Sequence, residues 1–256
     1  MKITLLPSSV SERGPRQHQF LTSFRINDTL AIDAGSLGLA GTVQDQARVK
    51  HVLLTHTHMD HIASLPIFVE NAYEANDSCV TIHGSEAVLS CLRSDIFNDR
   101  IWPNLPSLSN AKTPFLKLAV LEPEKAIELE GLRITPIPVD HVVPTFGFLV
   151  EDRDTAVLIV GDTGPTEMIW QYANRMPNLK AIFLEATFPD SMSGLAQLSK
   201  HLTPSLFARE VQKLKQSTRV VAVHIKARFR DRVLSELGGL EIPGLEIGEV
   251  DKAHTF

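Results

Sequence analysis

The segment VLLTHTHMDHI, Val52 to Ile62, constrains this chain more than any other: an apolar run of strand length feeds directly into His56, His58, Asp60 and His61. A strand turns alternate side chains to one face, so His56 and His58 point together, and the turn that follows brings Asp60 and His61 alongside. Imidazole nitrogens and a carboxylate suit Zn²⁺ or another first-row dication, and each such ion needs three or four convergent ligands. Two histidines of one strand cannot close a site, so further ligands must come from elsewhere. Candidates recur where other apolar runs end: Asp140 with His141, Asp162 in the turn Gly161-Asp162-Thr163-Gly164, and His224. The chain therefore needs a fold that gathers strand ends along one rim of a sheet. Taken singly, each of these residues would be read as structural, and Asp162 as a turn residue between glycines. Only the cluster promotes them. His18, His51, His83 and His254 lack such neighbours and are assigned structural roles.

Apolar runs of strand length recur at Thr4–Leu6, Thr29–Ile32, His51–Leu54, Val80–Ile82, Leu132–Val139, Phe146–Val150, Ala156–Val160, Ala181–Leu184 and Val220–His224. Helical spacing marks Ile62–Ala75, Glu86–Ser94, Thr166–Met176, Pro204–Gln216 and Asp231–Leu237, with Thr203 and Pro204 suited to an N-cap and first helical position. This alternation predicts an α/β protein with sheets covered by helices. The stretch Ile101–Pro123, rich in proline and serine, reads as a long surface loop. No composition break divides the 256 residues, so one domain over 1–256 is expected. A net charge of −5 argues against a protein that grips long nucleic acid, while leaving room for a small anion in a local pocket. Cys79 and Cys91 are too few for a disulfide framework or a cysteine zinc site, and are expected to be small buried apolar residues. The opening MKITLL is cut short by Pro7, Ser8 and Ser9, and no later stretch suits a membrane span, so a soluble, cytoplasmic protein is expected.

The pattern H-x-H-x-D-H after a strand, with a later histidine, a Gly-Asp turn and a further histidine near the end, resembles the metallo-β-lactamase superfamily. That family folds as a four-layer αββα sandwich with a two-metal site at one edge. Asp33-Ala34-Gly35-Ser36, HTHMDHIASL, FNDRIWPNL at Phe97–Leu105, GDTGP, LEATFP, HLTP and HIK narrow the likeness to the class II cyclic-nucleotide phosphodiesterases, in family order from about Ile32 to Lys226. The chain departs from the usual family pattern at Met59 (Leu), Lys200 (Gly) and Val223 (Thr).

The resemblance implies two divalent metal ions, zinc first, with manganese or iron as alternatives. One would be held by His56, His58 and His141, the other by Asp60, His61 and His224, with Asp162 bridging both. Such a pair activates a shared water and stabilises charge on phosphoryl oxygens. Asp60 and Asp162 are thus counted with the catalytic groups, His201 is the general acid for the departing sugar oxygen, and Glu185 orients it. Lys226 is assigned to a non-bridging phosphate oxygen, with a solvated lysine as the alternative, and Phe97, Asn98, Trp102 and Asn104 to a loop that stacks on and hydrogen-bonds the purine, with hydrophobic anchoring of that loop as the alternative. The expected activity is hydrolysis of 3′,5′-cyclic AMP, with cyclic GMP left open, to the nucleoside 5′-monophosphate. Partners are then a small cyclic nucleotide, no long nucleic acid and no membrane; a homodimer is compatible. The alternatives are a tRNA 3′-end processing endonuclease (tRNase Z-like), which shares the Glu–His pair, and a non-catalytic nucleotide-binding relative. Lactone or β-lactam hydrolysis explains neither HLTP nor FNDRIWPNL.

Overall fold

The computed structural model describes residues 1–8, 21–73, 79–110 and 112–256. Its strands are β1 (Lys2–Leu5), β2 (Phe24–Ile26), β3 (Leu30–Ile32), β4 (His51–Leu53), β5 (Val80–Gly84), β6 (Leu116–Val120) and β7 (Ile127–Leu129). They continue with β8 (Leu132–Val139), β9 (Thr145–Glu151), β10 (Ala156–Ile159), β11 (Leu179–Glu185), β12 (Arg219–Val223), β13 (Leu245–Ile247) and β14 (Ala253–Thr255). The chain divides into two compact units, Met1–Glu122 with Val250–Thr255, and Pro123–Glu249 with Phe256.

The first unit holds a sheet of order β14-β1-β2-β3-β4-β5-β6, antiparallel from β14 to β3 and parallel from β3 to β6. In this register Ile32 pairs with Leu53, and Leu53 with His83, so β3 and β4 finish side by side and release Asp33 and Leu54 at the same edge. Ala31, Val52 and Ile82 pack with Leu65, Phe68 and Val69 of the helix Leu65–Asn71 and with Val88 and Leu89 of the helix Glu86–Cys91. Each fully buried side chain of this size contributes about 1.5–3 kcal/mol.

The second unit repeats the plan, with order β13-β12-β11-β10-β9-β8-β7, antiparallel from β7 to β10 and parallel from β10 to β13. Strands β10 to β12 are the near-continuous apolar runs expected of parallel strands buried on both faces. Leu158, Ile182 and Ala222 pack with Trp170, Phe207 and Val233 of the helices Met168–Ala173, Pro204–Val211 and Arg230–Gly238. Glu185 lies level with Val223, so the residues that follow β11 and β12 leave one edge together.

Thr203 accepts from the Leu206 amide, and Pro204 takes the first turn of its helix, as the sequence suggests. The expected helix over Ile62–Ala75 is instead two pieces, Met59–Ile62 and Leu65–Asn71, and its last two positions fall outside the described residues. The expected surface loop Ile101–Pro123 contains a helical turn, Leu105–Leu108, and strand β6. Cys79 and Cys91 are half-buried free thiols rather than core residues. No helix among the described residues is long and apolar enough to cross a membrane.

Candidate metal centre

In the first unit β4 ends at Leu53 and the chain runs straight on to Thr55, His56 and His58, before the turn Met59–Ile62 carries Asp60 and His61. His56 and His61 are buried, whereas His58 and Asp60 are half-buried. The His56 ring stands 4.6 Å from His58 and 4.2 Å from His61, so three imidazoles gather at the end of one strand. Their orientation is set from behind. Asp33, 1% exposed and left-handed at φ 60, follows β3 and faces the His61 Nδ1 at 2.7 Å. It also accepts from the Thr55 amide at 2.8 Å and the Thr55 hydroxyl at 2.8 Å. With its proton given to Asp33, the Thr55 hydroxyl serves as acceptor for the His56 Nδ1 at 2.9 Å. Both rings thereby carry hydrogen on Nδ1, which makes Nε2 the nitrogen whose lone pair could hold a metal ion. Gly35 lets the motif lie close: a Cβ there would sit 2.1 Å from the Asp60 carbonyl oxygen and 2.8 Å from Thr22 backbone.

In the second unit Gly161, at φ +73, turns the chain sharply after β10 and delivers buried Asp162. His224 follows β12 in the left-handed region, φ 54, with Nε2 3.2 Å from Asp162 Oδ2. Left-handed backbone costs a non-glycine residue on the order of 1–3 kcal/mol and concentrates at functional positions. His141, after β8, directs its Nδ1 to the Lys200 carbonyl at 3.1 Å, again leaving Nε2 as the donor atom. Donor atoms of Asp162, His201 and His224 lie within 4.8 Å of one another, close enough to share an ion.

His201 is distinguished by its partner. Its Nδ1 lies 2.7 Å from Oε1 of Glu185, which is 1% exposed, and 4.0 Å from Asp162 Oδ2. Glu185 is surrounded by donors: Oε1 also accepts from the Thr163 amide at 2.9 Å, and Oε2 from the Leu202 amide at 3.0 Å and the Thr187 hydroxyl. Burial works against a charged imidazole at His201, but the charge and hydrogen bond of Glu185, with the charge of Asp162, outweigh it and raise the pKa above its ordinary value. Half-buried Lys226 acts in the opposite direction on the same ring.

In the loop assigned to the purine, one side chain is buried and two asparagines hydrogen-bond locally. Phe97 is 0% exposed and belongs to the apolar core of its unit, so its assignment as a stacking residue is corrected. Asn98 Oδ1 accepts from the Arg100 and Ile101 amides and its Nδ2 donates to the Ser94 carbonyl, while Asn104 Oδ1 caps Leu105–Leu108 through the Ser107 amide. Trp102 is half-buried against the same core, its indole N–H buried without a hydrogen-bond partner among the described residues. Asp33, Thr55, Thr163, Thr187 and the Lys200 carbonyl are supporting groups that sequence reasoning did not assign. His51 and His83 form a structural pair, Nδ1 to Nε2 3.1 Å. His254 is buried in β14, and His18 lies outside the described residues.

The 3′,5′-cyclic-nucleotide phosphodiesterase 1 of Saccharomyces cerevisiae is 28% identical over 209 residues, which cover 68% of this chain and 55% of that protein. The chain thus spans little more than half the length of that relative. Ribonucleases Z also match, among them that of Metallosphaera sedula, 30% identical over 112 residues, 43% of this chain and 33% of that protein. Among solved structures, unliganded yeast PDE1 aligns with a TM-score of 0.76 at 20% identity over 96% of both chains. The metallo-β-lactamase fold protein YhfI from Bacillus subtilis aligns with a TM-score of 0.73 at 15% identity over 99% of this chain and 98% of that one. The fold is that of the metallo-β-lactamases. The family model of class-II cAMP phosphodiesterases matches residues 39–227, a span that runs from ahead of His56 to just past Lys226, and the chain belongs to that family.

Proposed function

We propose that this chain hydrolyses 3′,5′-cyclic nucleotides, cyclic AMP first and cyclic GMP second, to nucleoside 5′-monophosphates, its two units working as one metal-dependent domain over 1–256. The reading rests on one observation above others: the buried Glu185–His201 pair beside Asp162, in a chain of this family. The donor chemistry fits dications, since His56, His61 and His141 each commit Nδ1 and keep Nε2 for a ligand bond. We assign His56, His58 and His141 to one ion, Asp60, His61 and His224 to the other, and Asp162 to both; an imidazole and carboxylate set suits zinc. When bound, such ions supply Lewis acidity that acidifies water and draws charge from phosphoryl oxygens.

The protein's own part is proton delivery and orientation. With Nδ1 fixed on Glu185, His201 has Nε2 as the atom that hands a proton to the departing ribose oxygen. A water oxygen bonds to phosphorus and gives up its proton to solvent as the P–O3′ bond breaks; the electron pair of that bond stays on the oxygen, and the His201 proton turns it into the 3′-hydroxyl. The neutral ring is then reprotonated from solvent. Four donors around Glu185 keep the carboxylate from rotating, and hence keep the ring in one tautomer. Lys226, whose charge is felt at His201, is assigned to a phosphate oxygen. A diffusible cyclic nucleotide as substrate also carries the proposal that the protein works in the cytoplasm.

The likeness to ribonucleases Z makes tRNA 3′-end cleavage the second reading. Both are tested by metal analysis of purified protein followed by product chromatography on cyclic AMP, cyclic GMP, a cyclic dinucleotide, a 3′-extended tRNA and a lactone. The expected result is two dications per chain and 5′-AMP from cyclic AMP. Trimmed tRNA with intact cyclic AMP, or no more than trace metal, overturns the proposal.

A further inference from the structure

A cleft of about 760 Å³ opens beside His201 in the second unit, walled by the helices Ser193–Ser199 and Pro204–Val211. Gln197, Lys200, His201, Thr203, Ser205 and Arg209 are among its lining. Small-molecule sites run to about 300–1,000 Å³, so the cleft has the size of one. The cleft is lined by equal numbers of cationic and carboxylate side chains. Lys200 Nζ lies 2.6 Å from Asp140 Oδ1, and Asp190, which accepts from the Ser205 amide and hydroxyl, also feels the charge of Arg209. Lys200 and Arg209 match Asp140 and Asp190 in number, so apart from His201 the lining of the cleft carries no net charge. A wall built to hold a second phosphate would carry unanswered cations.

The cleft is also joined rigidly to the acid. Lys200 ends the helix Ser193–Ser199 in the left-handed region, φ 53 and ψ 57, points its carbonyl at His141 Nδ1 and is followed at once by His201. The group that takes a proton from His201 has to lie against that ring. In a 3′,5′-cyclic nucleotide this is a ribose oxygen, so the ribose and base occupy space adjoining His201. We infer that this cleft is the nucleoside site, taking the uncharged sugar and base of the substrate, with Gln197 and Arg209 as its specificity-determining contacts. The inference rests on the phosphodiesterase reading for the identity of the ligand. It moves base recognition away from the loop around Phe97.

The test compares cyclic AMP with bis(p-nitrophenyl) phosphate, a diester without a nucleoside, in the metal-loaded protein and in Gln197→Trp and Arg209→Ala, each checked for folding by circular dichroism. The ratio of kcat/KM for cyclic AMP to that for the nitrophenyl diester should fall about tenfold or more in Gln197→Trp and about threefold in Arg209→Ala, chiefly through KM. Ratios within twofold of the parent in both variants overturn the inference while leaving the phosphodiesterase reading standing. If the parent cleaves neither diester, that reading fails, and saturation-transfer NMR of adenosine with chelator-treated protein decides the cleft alone. Saturation of the base protons that is lost in Gln197→Trp upholds the site; saturation absent from the parent, or undiminished in the variant, overturns it.

Discussion

Replacing Glu185 by glutamine tests the acid pair most directly, because it changes no shape and removes one acceptor oxygen. The carboxylate receives the Thr163 amide and His201 Nδ1 on Oε1, and the Leu202 amide and Thr187 hydroxyl on Oε2. If the new NH₂ group takes the Oε2 position, Thr187 can adapt by accepting from it and donating to the His224 carbonyl, 3.1 Å away. The Leu202 amide cannot adapt and is stranded. If the NH₂ takes the Oε1 position, the Thr163 amide is stranded and His201 must accept at Nδ1, which is the wrong tautomer for an acid held by Glu185. Either way a buried N–H loses its acceptor, at about 1–3 kcal/mol, and a hydrogen bond to a charged group worth about 1.5–3 kcal/mol is weakened. Glu185→Gln should therefore lose about 2–5 kcal/mol of stability, read as a lower urea midpoint with unchanged m-value, and kcat on cyclic AMP should fall about 10–100-fold. A variant within 0.5 kcal/mol of the parent would refute the account of four donors on one carboxylate.

Two further substitutions probe a supporting carboxylate, Asp33, and the structural histidine His83. Asp33→Asn keeps a side chain that tolerates the left-handed backbone at φ 60 but turns one acceptor into a donor. Facing His61 it would push the ring proton to Nε2, so metal affinity should drop about 10–100-fold in competition with a fluorescent chelator, and unchanged affinity would remove Asp33 from the site. His83 is pushed down to about 4, first by burial and then by the charge of His51. A depressed histidine means that the unfolded chain binds more protons between about pH 6.5 and 4, so the stability present above pH 6.5 is lost as pH falls. His83 accounts for about 2.5 kcal/mol of loss from pH 7 to pH 4.5. The His83→Gln variant should show a pH dependence flatter by that amount in urea unfolding, and an identical slope would refute the assignment.

What the sequence could reveal of the site follows from where its donors stand along the chain. His56, His58, Asp60 and His61 are legible because they crowd one strand end; Asp162 and His224, each after an apolar run, gain meaning only beside that cluster, and Glu185 only through the resemblance to the family. His201 is legible as an acid only with Glu185, and nothing local announces that pairing across sixteen positions. It arises because the chain leaves β11 at Glu185, passes through the helix Ser193–Ser199 and turns back at left-handed Lys200, so that the Leu202 amide and His201 Nδ1 both land on the Glu185 carboxylate. The supporting hydroxyls stay hidden for a different reason. Thr55, Thr163 and Thr187 are common residues whose role is decided by which polar group folds against them. Asp33 was the exception within reach, a carboxylate directly after an apolar strand, as Asp162 is. The misreading of Phe97 has the opposite origin. Resemblance alone places Phe97 in the purine loop, whereas the wide turn Leu92–Ile96 and the backbone pairing of Phe97 with Trp102 roll its ring into the core. The three-residue strands β2, β7, β13 and β14 escape notice similarly, since each has a polar residue at its middle and so short a run is marked by its neighbour in the sheet and not by its own periodicity. Ligands that must converge are therefore legible wherever strands end in them, while the groups that aim those ligands become visible only when the register of the sheet is known.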